Sequence, residues 1–172
     1  MQKGYIHIYT GNGKGKTTAA LGLALRAAGA GKRVFIAQFV KGMKYSEIDI
    51  LNRSIPEIEV RQYGLECFII NEPTEKDIRA AKNGLLETVK IIQSGKYDLI
   101  ILDEATIALY YKLFSIRELL NVIEKKTEQT EIVITGRYAP DDLIEKADLV
   151  TEMKEIKHYY KKGTEARKGI EY

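Results

Sequence analysis

Residues 10–18 read T-G-N-G-K-G-K-T-T. Small residues at Gly11, Gly13 and Gly15 let a backbone turn tightly enough for several N–H groups to point inward at phosphate oxygens. A helix that starts directly afterwards brings its positive dipole end to the same place. Lys16 adds a full charge beside the terminal phosphates, with Lys14 nearby, and Thr17 offers a hydroxyl to a divalent cation. Farther along, LIILDE places Asp103 and Glu104 after four apolar residues. A carboxylate there can hold Mg²⁺ or Mn²⁺ opposite Thr17, directly or through water. Each signal alone is modest, but together they describe a metal–nucleoside triphosphate site. The loop departs from G-x-x-x-x-G-K-[ST] at one point. Laid on Gly15-Lys16-Thr17, that pattern asks for glycine at position 10, where this chain has Thr10 followed by Gly11.

Such a site needs a strand, a loop and a helix in order, and the flanking residues supply them. Residues 4–10 (GYIHIYT) read as a strand, and 16–28 (KTTAALGLALRAA) as a helix ending at Gly29 and Gly31. Strands are expected at 33–39 and 57–63, at 97–104 as a fully buried run, at 131–136 and at 148–156. Ile78, Ala81, Leu85, Val89 and Ile92 recur every three or four residues and predict a helix over 74–94, with Thr74 and Asp77 at its start. Ser115 and Glu118 form a second capping box opening a helix to about Lys126. Pro140 suits the first turn of a short helix at 140–147. Strands alternating with helices imply an α/β fold, mostly parallel, with helices on both faces of the sheet. Ligands bind such sheets beyond the carboxyl ends of the strands. The segments 10–18, 103–104 and 135–137 all fall there.

The 172 residues suit one domain spanning 1–172. The net charge of +3 comes from 27 basic and 24 acidic residues, with no basic arm, which argues against a dedicated nucleic-acid binder. No apolar run is long enough to span a membrane. The opening MQKGYIHIYT lacks a signal-peptide core, and Cys67 is the one cysteine. A cytoplasmic protein is expected. His7 reads as structural and Cys67 as packing. The tyrosines at 110, 111, 159 and 160 are open between core, subunit contact and ligand contact.

A metal–nucleotide site alone could serve a small-molecule kinase, an ATPase, a GTPase, a transferase or a RecA-like binding module. The chain has neither a kinase base motif nor a guanine-reading N-K-x-D. Four more stretches bear on the choice: QFVKG (38–42), LDE (102–104), TGRYAP (135–140) and ADLVTEMKEIKHYYKKGTEARKGIEY (147–172). With TGNGKGKTTAA they resemble the P-loop type of ATP:cob(I)alamin adenosyltransferase, the corrinoid adenosyltransferase family, from about Tyr5 to the last residue. Thr10 also fits that family's loop. The resemblance implies a P-loop NTPase (RecA-like) fold, and transfer of the 5′-deoxyadenosyl group of ATP to the Co(I) of a reduced corrinoid with release of tripolyphosphate. It also implies a homodimer and an external reductase that supplies Co(I).

Carried over by resemblance, Thr10, Gly11, Asn12, Gly13, Lys14, Gly15, Lys16, Thr17, Thr18 and Arg137 bind ATP. Lys16, Thr17 and Glu104 are catalytic, and Thr17, Glu104 and Asp103 hold the metal. Lys41, Gly42, Phe68 and Ile70 line the corrinoid site, where Phe68 helps expel the lower ligand of cobalt. Some members carry Phe-x-Trp there, whereas this chain has Phe68-Ile69-Ile70 and no tryptophan. Ala166-Arg167 likewise stands where alanine–glutamine is common.

Overall fold

The computed structural model describes residues 3–43, 45–65, 69 and 72–172. Six strands form one parallel sheet: β1 (Ile6–Thr10), β2 (Val34–Phe39), β3 (Ile58–Tyr63), β4 (Leu99–Asp103), β5 (Glu131–Thr135) and β6 (Leu149–Glu152), in the order β3-β2-β4-β5-β1-β6. Strand β5 separates the strand leading into the glycine–lysine loop from the strand ending in the acidic pair, the RecA-like arrangement expected.

Helix α1 (Lys16–Gly29) packs its buried Ala20, Ala24 and Ala27 on Val34, Ile36, Leu99, Ile101 and Val133. Three small residues on one helix stripe let it approach closely enough for its first turn to reach the strand ends. Helix α2 (Ser46–Ser54) contributes Leu51 to the same layer. The opposite layer holds α3 (Glu75–Gln93), α4 (Ala105–Tyr110), α5 (Ile116–Ile123) and α6 (Asp141–Lys146) over Phe35, Phe39, Ile100, Leu102, Ile132 and Ile134. Burial of each of these large side chains contributes roughly 1.5–3 kcal/mol. Because β2, β4 and β5 are covered on both faces, their sequences are continuous apolar runs rather than alternating ones.

Both expected capping boxes form, Thr74 with Asp77 on α3 and Ser115 with Glu118 on α5. Helices α2 and α4 lack a side-chain cap, and for that reason the sequence gives no start signal for either. Pro140 sits at the N-cap of α6 rather than in its first turn. Strand β6 stops at Glu152, short of 156, because the next residue turns to the glycine–lysine loop: Met153 N–H donates to Thr10 O at 2.8 Å, and Gly13 N–H to Met153 O at 2.6 Å. His7 lies near the amino end of β1, between β5 and β6, its Nε2 2.6 Å from Glu131 Oε1. Among the described residues, no helix is long and apolar enough to cross a membrane.

Candidate active site

Period two along the strands decides what meets at the carboxyl edge. In β4, Leu99 and Ile101 face α1, so Asp103 does too. The same alternation places Gln38 after Val34 and Ile36, and Thr135 after Val133. Parallel register sets Gln38 beside Asp103. Three neighbouring strands therefore end their apolar rows in polar side chains, directly under the first turn of α1. All three are fully or almost fully buried. The Asp103 carboxylate accepts from four donors. Thr17 Oγ1 and Thr135 Oγ1 reach Oδ1 at 2.8 and 2.6 Å. Gln38 Nε2 and Lys41 Nζ reach Oδ2 at 3.1 and 2.8 Å. Burial by itself would raise the Asp103 carboxyl, but the Lys41 charge and these hydrogen bonds outweigh it and hold it below the usual carboxylate range.

Glu104 is placed differently. It adopts the left-handed backbone conformation (φ 58°) at the N-cap of α4, a strained conformation of the kind that clusters at functional sites. Its N–H donates to Thr135 Oγ1 at 3.0 Å. Its carboxylate receives no hydrogen bond among the described residues, and it is pushed above the ordinary range by burial and then by Asp103. Gly136 (φ 136°) packs beside it against α4: a Cβ there would lie 2.2 Å from Thr106 Oγ1, and 3.4 Å from Glu104 Oε2, an ordinary contact. Arg137 follows, exposed, and contributes to the positive potential at Glu104 and Lys16.

The glycine–lysine loop is rigidly packed. Gly11 (φ 97°) and Gly13 lie so near the chain after β6 that a Cβ would come 2.5 and 2.6 Å from Met153 O. Gly15, the N-cap of α1, provides no side-chain cap, and the first turn holds no acidic residue. The leading N–H groups of α1 are thus left for an external acceptor. Lys16 lies back across the loop, its Nζ 2.8 Å from Gly11 O and 2.7 Å from Gly13 O, and burial lowers its pKa. Lys14 turns instead to the chain's end, with Nζ 2.9 Å from Tyr159 Oη and 2.6 Å from Glu171 Oε1. Arg167, Lys14 and Tyr159 hold the Glu171 carboxyl far below its ordinary range. Arg167 thus faces Glu171 and the Tyr159 ring, 5.1 Å from its centroid.

These elements border one cleft of about 1390 Å³. Its lining includes the apolar Leu21, Leu25, Ile170 and Tyr172, the apolar and aromatic Ile69, Ile107, Tyr110, Tyr111 and Tyr138, and the polar Lys16, Thr17, Lys41 and Glu104. Tyr110 and Tyr138 are more than half exposed, and their rings lie 4.6 Å apart. Of the expected residues, Gly13 to Thr18, Lys41, Glu104 and Arg137 line the cleft. Asp103 lies beneath it. Thr10 ends β1, its Oγ1 accepting from Ala139 N–H at 3.4 Å, and Asn12 is exposed on the outer turn. Gly42 packs against the next loop, where a Cβ would come 2.1 Å from Leu65 O. Lys41, expected beside the corrinoid, is joined to Asp103 and Thr17. Phe68 and Ile70 lie outside the described residues. Sequence reasoning missed Gln38, Thr135 and the Lys14–Glu171 contact. The first two carry a readable signal, a polar residue closing the alternation of a buried strand, while the third has none.

Topology and loop together define a P-loop nucleotide-binding protein of the RecA-like kind. The family model for ATP:corrinoid adenosyltransferase BtuR/CobO/CobP matches residues 2–172. The corrinoid adenosyltransferase of Escherichia coli (strain K12) is 34% identical over 172 residues, covering 99% of this chain and 87% of its own. The corrinoid adenosyltransferase CobA of Salmonella typhimurium (strain LT2) is 33% identical with the same coverage. A corrinoid adenosyltransferase of Pseudomonas aeruginosa is 32% identical, covering 99% of this chain and 85% of its own. The chain belongs to the ATP:corrinoid adenosyltransferase family, and it is an enzyme whose substrates are ATP and a corrinoid.

Proposed function

We propose that this chain, acting as one domain, moves the 5′-deoxyadenosyl group of ATP onto the Co(I) of a reduced corrinoid. The Co(I) electron pair forms the Co–C5′ bond, the C5′–O bond breaks, and its electrons leave with intact tripolyphosphate. No proton has to be taken from the nucleophile, so the site needs no general base. Its task is to hold a polyanionic leaving group and stabilise the charge that grows on it. The observation that carries this reading is that the uncapped start of α1 and the Glu104 carboxylate, which accepts no hydrogen bond among the described residues, line one cleft.

Gly13 to Thr18 cradle the phosphates in this reading, and Thr10, Gly11 and Asn12 shape the turn that leads into them. Lys16 swings from the Gly11 and Gly13 carbonyls onto them, and Arg137 adds charge from the rim. Thr17 and Glu104 suit a magnesium or manganese ion: one hydroxyl and one carboxylate, the remaining positions going to phosphate and water, is the sparse donor set such an ion accepts. A bound cation also relieves the cost of the buried Glu104 charge. The ion, held by Thr17 and Glu104, would supply electrostatic stabilisation of the departing triphosphate. Asp103, with all its acceptor positions in use, orients Thr17 from below. Phe68, Ile70 and the segment at Lys41 and Gly42 border the corrinoid, and Phe68 assists loss of the lower ligand before reduction. The enzyme works in the cytoplasm as a homodimer supplied with Co(I) by a separate reductase.

The test is an anaerobic incubation with ATP, Mg²⁺ and chemically reduced cobalamin. A light-sensitive Co–C spectrum together with tripolyphosphate is expected. Accumulation of ADP without a change in the corrinoid would overturn the proposal.

A further inference from the structure

The Lys41 ammonium reaches two atoms at once, Asp103 Oδ2 at 2.8 Å and Thr17 Oγ1 at 3.1 Å. The Thr17 hydroxyl gives its proton to Asp103 Oδ1 at 2.8 Å, so its two lone pairs are its acceptors: one takes the Lys41 ammonium, and the other is the one a divalent ion would use. The side chain of Lys41 is only 12% exposed, and its charge also lies 5.1 Å from the Tyr45 ring centroid. Its backbone is built to deliver it there. Val40 is held at φ 60°, an outlying conformation for a β-branched residue. Gly42 and Gly64 allow the loops after β2 and β3 to touch: a Cβ on Gly64 would come 2.5 Å from Lys41 N.

We propose that Lys41 is a resident counter-ion for the Thr17–Asp103 pair, holding the place of the divalent cation until nucleotide brings that cation in. An ammonium and a metal ion on the two lone pairs of one Thr17 oxygen would be close neighbours, and like charges that close repel strongly in a buried setting. Free metal therefore meets a site already neutralised. Metal that arrives with a triphosphate brings compensating negative charge, so the ion displaces Lys41 from Thr17, and the released ammonium turns to the phosphates while Asp103 keeps its hydroxyl partners. The consequence is obligatory coupling: the enzyme takes metal only with nucleotide. This inference rests on the proposal that Thr17 takes part in holding the metal.

The test is Mn²⁺ binding to the nucleotide-free protein, read by electron paramagnetic resonance and by the thermal unfolding midpoint. Wild type is expected to take up no Mn²⁺ and to show no shift. Lys41→Met is expected to bind Mn²⁺ with affinity raised about tenfold or more, the scale on which a neighbouring charge alters an ionic site, and Mn²⁺ should raise its midpoint. Thr17→Val added to Lys41→Met should abolish the gain. Lys41→Gln, whose amide still donates to Asp103, gives the same comparison if Lys41→Met does not fold. Equal Mn²⁺ affinity in wild type and in a folded Lys41 variant overturns the assignment and leaves the reaction proposed above intact. Adenosyl transfer that proceeds in the absence of any divalent ion overturns the metal role of Thr17, and this assignment with it, and leaves the reaction itself intact.

Discussion

Replacing Asp103 by asparagine separates charge from hydrogen bonding at the centre of the site. Asparagine is isosteric, and one orientation keeps a contact to each neighbour: its oxygen accepts from Gln38 and Lys41, while its amide donates to the Thr17 and Thr135 hydroxyls, whose own protons then lose Asp103 as acceptor. What it cannot supply is the negative charge opposite Lys41, which is nearly buried. Removing one partner of a buried ion pair costs about 3–5 kcal/mol. The surviving hydrogen bonds favour the lower end, about 3 kcal/mol. For a chain of 172 residues this corresponds to a fall of roughly 6–12 °C in unfolding midpoint. Lys41→Met should cost a similar amount by stranding the carboxylate. The double variant leaves neither charge stranded, so it should be more stable than the sum of the two losses predicts by at least about 1.5 kcal/mol. Urea unfolding of all four proteins, followed by circular dichroism without nucleotide or metal, measures the cycle. Additivity within about 0.5 kcal/mol would show that the pair is not coupled, and would refute the electrostatic account of this cluster.

Lys16→Ala should abolish tripolyphosphate release while leaving the unfolding midpoint within a few degrees of wild type, since the displaced bonds run only to loop carbonyls; product analysis and a melting curve check both halves. Gly84→Ala raises helix propensity in α3 yet should destabilise by about 1–3 kcal/mol, because the added Cβ would lie 2.5 Å from Cγ of Tyr63; a higher midpoint would contradict it. The Glu171 carboxyl is depressed by Arg167, Lys14 and Tyr159. Its contribution to tail docking is therefore fully present above the ordinary carboxylate value of about 4.3 and is lost only as pH falls through the lower folded value. The tyrosine near-ultraviolet signal should hold down to about pH 4.3 in wild type, and Glu171→Gln should show faster tryptic cleavage at Arg167 and Lys168 already at neutral pH.

How much of this protein its sequence determines follows from the range of each interaction. Strand identity in β4 and β5, the start of α1 at Lys16, and the capping boxes at Thr74 and Ser115 rest on local geometry, and all are legible from neighbouring residues. Helices α2 and α4 are not, since no cap marks their starts and burial alone holds them. The phosphate loop and the acidic strand end can be read as motifs because their spacing is set within single segments. The tertiary structure alone decides that Asp103 is enclosed by four donors while Glu104, its neighbour, has none among the described residues. That difference comes from which way each side chain leaves the end of a strand, and from what three other segments bring to meet it. The same holds for Lys41: its position in QFVKG gives no hint of its partner, because the strand pairing of β2 with β4 is what carries it to the carboxylate.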